Sequence, residues 1–155
     1  MPQKIFKVKY KERAVIQRAI QRSIQRYGLV DTFAMKDSVR IAAGSRVALG
    51  RLYFNVVALY YYRFHDTFAS DGYPTSNGIK PVDITIDAFQ DPKVVEALGV
   101  IFQQYIEWLT SSESGTKGIF NPNELDFEVH VGFEFFGSPE SKWNKAIAYE
   151  KLMSV

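Results

Sequence analysis

The chain of 155 residues contains no cysteine and only two histidines, His65 and His130. The first absence excludes a disulfide framework and thiolate metal sites, and it suits a reducing compartment. The second leaves histidine chemistry very few players. No run of about 18 apolar residues is available to span a bilayer. Met1 to Lys11 is charged rather than apolar, so no secretory leader is expected and synthesis in the cytoplasm is the simple expectation. The nucleotide-binding patterns GxGxxG and GxxxxGK[ST] are absent, as are the zinc-protease HExxH and the hydrolase GxSxG. With these gone, no enzyme, no metal and no cofactor is expected.

What is present is an ordinary globular composition, 46% hydrophobic and 23% charged, at the length of one domain. We expect a single α+β domain over 1–155. Aromatics are abundant, with 12 Phe, 9 Tyr and 2 Trp. A domain this small has trouble hiding them all, and aromatics are enriched at interfaces. Charge is split along the chain. Residues 1–51 hold 12 Lys/Arg and 3 Asp/Glu, a net of +9; residues 52–155 hold 7 and 14, a net of −7.

Lys4 to Tyr10 alternates apolar residues with lysines and reads as an edge strand or an extended arm. Glu12 to Tyr27 predicts an amphipathic helix, with Ile16, Ile20, Ile24 and Tyr27 on one stripe and Arg18, Arg22 and Arg26 opposite. Gly28 is its natural stop. Asp31 or Thr32 would cap a short turn through Phe33, Met35 and Lys36. Val39–Ala43 and Arg46–Leu49, around Gly44-Ser45, read as a hairpin. Leu52 to Tyr62 reads as a long strand, and Val82 to Ile86 as a short one. Residues 66–81 and 111–124 read as exposed loops.

Asp91-Pro92 opens a helix to about residue 110, apolar over half its circumference, which sits across the sheet or touches a second partner; packing on the sheet is the expectation. Leu125 to Phe135 alternates strictly, with Asp126, Glu128, His130 and Glu134 on the polar face. Ser138-Pro139 repeats the cap-plus-proline signal and predicts a short last helix carrying Trp143, Ala146, Ile147 and Glu150. The expected architecture is thus an antiparallel sheet of four to five strands with three helices.

Three constellations invite a functional reading. Asp126, Glu128 and His130 alternate as metal ligands would, although a solvated or interface-facing sheet face explains them more simply. His65-Asp66 pairs a base with an orienting acid, but no nucleophile accompanies it. Asp83, Asp87 and Asp91 read as turn and cap residues. The row Arg18, Arg22 and Arg26 suits phosphates or carboxylates. One reading is therefore a small nucleic-acid-binding protein. The other sets the basic segment of one copy against the acidic remainder of the next, a heterologous contact that closes into a ring or runs on as a filament.

The stretch Asp31-Thr32-Phe33-Ala34-Met35-Lys36-Asp37-Ser38-Val39 resembles the Asp-Thr-Gly-x-Leu-Arg/Lys-x-Ser-Ile/Val signature of tail-completion (neck) proteins of tailed bacteriophages. Phe33 stands at the signature glycine and Met35 at the leucine. Tyr60-Tyr61-Tyr62-Arg63-Phe64-His65-Asp66-Thr67 loosely resembles that family's Tyr-rich segment, without its Glu and Gly. The resemblance covers about residues 12–67. It implies a virion structural protein, a subunit of a homo-oligomeric ring between the head portal and the tail. Its partners would be copies of itself and other portal, connector or tail proteins, with passing contact to DNA in the channel. Interface candidates are Arg18, Arg22, Arg26, Tyr61, Asp126, Glu128, His130 and Glu134.

Overall fold

The computed structural model describes residues 5–28, 32–70, 80–111 and 127–154. Along the chain these form β1 (Phe6–Lys7), α1 (Tyr10–Tyr27), α2 (Thr32–Ser38), β2 (Arg40–Ile41), β3 (Arg46–Ala48) and β4 (Arg51–Leu59). Then come α3 (Tyr61–His65), α4 (Thr67–Ser70), α5 (Ile84–Phe89), α6 (Pro92–Leu109), β5 (Glu128–Phe136), a 3₁₀ turn (Ser141–Trp143) and β6 (Ala146–Ser154). The fold is α+β. No helix among the described residues is long and apolar enough to cross a membrane.

The strands form one mixed sheet in the order β1-β3-β4-β5-β6, with β2 also on β4. The expectation of a wholly antiparallel sheet is corrected at its centre. β4 and β5 run parallel in full register, Arg51 beside Glu128 through Leu59 beside Phe136. A parallel pair needs a long crossover, and residues 60–127, with α3 to α6, supply it. Leu52, Phe54, Val56 and Ala58 of β4, with Val129, Val131, Phe133 and Phe135 of β5, are all buried. They meet Ile16, Ile20 and Ile24 of α1 and Leu98, Ile101, Phe102 and Tyr105 of α6 in one core. α6 therefore packs on the sheet, and Phe54 lies 5.7 Å from Phe89 of α5.

α6 begins where Asp91 caps it: its carboxylate accepts from the Lys93 amide at 2.9 Å, and Pro92 fills the first turn. α1 ends where Gly28 takes the left-handed conformation, φ 59°.

Three local expectations are overturned. The hairpin turn is not Gly44-Ser45: β2 and β3 both pair with β4 and lie along it in succession. The turn is Leu49-Gly50, with φ 51° and 78°, the two positive angles of a tight hairpin. Residues 82–86 are not a strand, because Ile84, Thr85, Ala88 and Phe89 are buried at helical spacing in α5. No final helix forms. Ser138-Pro139 opens only the 3₁₀ turn, and Ala146–Ser154 pairs antiparallel with β5. Ile147 and Tyr149, half-buried between exposed Ala146, Ala148 and Glu150, mark the period of a strand. The strand expected over Leu52–Tyr62 also ends early, at Leu59, where Tyr61 starts α3.

Candidate functional site

The arginine row sits against the acidic part of the same chain. Arg22 donates to the Asp91 carboxylate at 2.8 Å. Tyr27, one turn beyond, donates its hydroxyl to Asp87. Arg26 lines a shallow groove with Asp87 and Asp91. α1 packs beside α5 and α6, so part of the charge split is satisfied within the chain. Arg18 remains exposed and, with Arg22, lines a cleft of about 350 Å³ between α1 and α6. The Arg22 hydrogen bond, followed by the Lys93 amide, holds the Asp91 carboxyl below its usual range.

The sheet face turned away from the helices carries Glu128, His130 and Glu134 in register with their neighbours. Glu128 Oε1 and His130 Nε2 are 3.0 Å apart. Arg51 approaches the same acid at 3.6 Å and Lys151 at 3.5 Å. The His130 hydrogen bond, with Lys151 and Arg51 adding to it, holds the Glu128 carboxyl low. Glu134 accepts from the Asn55 amide at 3.0 Å. The Tyr53 ring lies between His130 at 5.3 Å and Tyr149 at 5.1 Å, and the Arg46 guanidinium covers both tyrosines. This face is charge-compensated, not an acidic row. Among the described residues no group of three or more His, Cys, Asp or Glu could hold a metal ion. Asp126 lies outside the described residues.

Tyr61 belongs to an aromatic patch at the ends of β4 and β5. Its ring lies 4.1 Å from Tyr60, which meets Phe64, which in turn meets Trp143 at 5.2 Å. Tyr61 and Phe136 are both substantially exposed. The sequence alternation had hidden Phe136 and Trp143 from this group, because one was counted beyond the strand and the other in a helix.

No protein-family model, no curated protein and no solved structure matches this chain. The signature-like segment can be placed by its own contacts. Met35 and Val39 are buried, and the Ser38 hydroxyl links two elements, donating to Met35 O at 2.6 Å and accepting the Leu59 amide at 3.0 Å. Asp31, its first residue, lies outside the described residues.

Asp66, the acid of the His65-Asp66 pair, is engaged with donors of α4 and α5. The Asp66 carboxylate is buried and accepts from the Thr85 amide at 3.0 Å, the Thr85 hydroxyl at 2.5 Å and the Ala69 amide at 3.1 Å. Thr85 also shares a 2.6 Å hydrogen bond with Tyr62. The three polar side chains tie α3, α4 and α5 together under the core.

Proposed function

We propose that this chain is a structural subunit that assembles head to tail with copies of itself, a ring component of the bacteriophage neck type. One observation carries the assembly, while the neck type rests on the resemblance at Asp31–Val39. β6, nine residues long, forms the edge of the sheet, and no strand among the described residues pairs with its outer side. A long uncovered edge is a template for another chain. The opposite edge, β1, suits it in direction. β1 runs parallel to β4 through two antiparallel steps, and β6 runs antiparallel to β4. The β6 edge of one copy therefore meets the β1 edge of the next as an antiparallel pair, a heterologous contact able to close.

The Tyr60–Tyr61–Phe136 patch adds exposed aromatic area at the end of the same sheet, of the kind that anchors interfaces. The compensated outer face is suited to lying against a neighbour without bringing in unpaired charge. Nucleic-acid binding by Arg18, Arg22 and Arg26 is the weaker reading, since Arg22 is already held by Asp91.

Mass photometry and negative-stain imaging of the purified chain test the proposal. A uniform ring-sized particle is expected. A clean monomer at the highest attainable concentration, with and without a portal-type partner, would overturn it.

A further inference from the structure

The cleft between α1 and α6 holds a feature that assembly does not use. Its wall includes Glu12, which is only 5% exposed, and Glu12 Oε2 has no hydrogen-bond partner among the described residues. A position in the first turn of α1 explains an acidic residue, through the helix dipole. It does not explain burial, since a solvent-facing carboxylate would serve the dipole equally well. A buried carboxylate oxygen without a donor is costly to fold, so such a group points to a donor that arrives with an occupant.

The rest of the lining says what that occupant is. Lys11, Arg18 and Lys93 share the cleft with Glu12 and Glu96, three cations to two acids once Arg22 is set aside as held by Asp91. That excess selects an anion, and a guanidinium beside an ammonium is suited to phosphate oxygens. The donor that reaches Glu12 must then come from a molecule that is negative overall. An ammonium donor would face Lys11, Arg18 and Lys93, whereas a hydroxyl donates without bringing positive charge. A volume of about 350 Å³ is at the small end of ligand sites. We propose that this cleft binds a small phosphorylated, hydroxyl-bearing compound of the sugar-phosphate class, with phosphate at Arg18 and Lys93 and a hydroxyl donating to Glu12.

The test titrates the full chain with ribose 5-phosphate, inorganic phosphate and ribose separately, at matched ionic strength, following backbone amide shifts. Ribose 5-phosphate should bind at least about tenfold more tightly than phosphate, the factor expected of one hydrogen bond to a charged acceptor. The shifts should centre on Glu12, Arg18 and Lys93. Glu12→Gln should cut the preference for ribose 5-phosphate over inorganic phosphate about tenfold, with phosphate itself held no more weakly than in the wild type. Arg18→Ala should weaken both. Equal affinity for phosphate and ribose 5-phosphate overturns the proposal, and that comparison needs no variant to fold. So does an unchanged preference in Glu12→Gln, a response confined to residues outside the cleft, or binding of nucleic acid with none of ribose 5-phosphate.

Discussion

Arg22 donates to Asp91 at 2.8 Å, so the middle of the basic helix is fastened to the cap of the long helix that crosses the sheet. Asp91 serves two partners, Arg22 through one oxygen and the Lys93 amide through the other. The two single substitutions should therefore differ. Arg22→Ala loses a partly exposed ion pair, about 0.5–1 kcal/mol. Asp91→Ala loses the cap as well, about 1–2 kcal/mol. The Asp91 carboxyl is held below its ordinary value, chiefly by Arg22, so this contribution is present at neutral pH. It fades as pH falls below the usual aspartate range through the lower folded value. Urea midpoints of the three proteins at neutral and acid pH check both statements; the variants should converge on the wild type in acid.

Asp66 titrates in the other direction. Burial raises its carboxyl from 3.8 to about 6, against the opposing pull of the Thr85 and α4 hydrogen bonds. A folded value above the unfolded one means the native state holds the proton more tightly. The stabilising contribution is complete below about pH 4 and is lost as pH rises through about 6, to an extent of about 3 kcal/mol. Asp66→Asn removes the titration, so its stability should stay flat between pH 4 and 7 relative to the wild type. The difference between the two curves, measured by chemical unfolding across that window, isolates this one group. Parallel curves would show that Asp66 carries no such shift.

The two long helices were legible in the sequence because their end signals are local: Asp91-Pro92 at one start and Gly28 at one stop. The inward faces of β4 and β5 were legible for a similar reason, since alternation reports which side of a strand is buried. Alternation does not report the direction of the neighbouring strand, so the parallel β4–β5 pair was invisible. Short windows failed as well. Val82 to Ile86 alternates over five residues, and only the recurrence of burial at Ala88 and Phe89 reveals α5. At the chain's end, the weight given to Ser138-Pro139 masked the strand pattern of Ala146–Ser154. Among the candidate residues, the arginine row was named without its partner, because Asp91 lies 69 positions from Arg22. Glu12 looked like an ordinary first-turn acid, and only burial distinguishes it.

Gly132 is required by a ring on the next strand. A Cβ there would lie 2.9 Å from Tyr149 Cδ1 and 3.1 Å from the Ile147 carbonyl oxygen. Tyr149 thus lies over the backbone of β5, and this lets it reach Tyr53 and the Arg46 guanidinium. Gly132→Ala should cost about 1–3 kcal/mol by forcing the ring aside. In a Tyr149→Ala background the same change should cost less by about 1 kcal/mol, since the principal obstacle is gone. A double-mutant cycle on unfolding free energies measures that coupling. Strict additivity would mean that the backbone contact at Ile147, not the ring, governs the site.

Leu49 occupies the first position of the β3–β4 turn at φ 51°, yet 78% of its surface is exposed. A branched apolar residue gains nothing from such a conformation, and Asn adopts it far more readily. Leu49→Asn should therefore stabilise the isolated chain by about 0.5–1 kcal/mol, or about 1–4 °C in Tm. That an exposed leucine stands at a strained turn argues for a use outside the monomer, because strain is kept where function needs it. In the proposed assembly the hairpin tip would press its leucine against a neighbouring copy, and Asn would lose that contact. The expected result is a protein with a higher Tm and a smaller assembled fraction, read by thermal unfolding and mass photometry on the same sample. A higher Tm with assembly unchanged would leave Leu49 outside the contact; a lower Tm would show that the turn is not strained by its leucine.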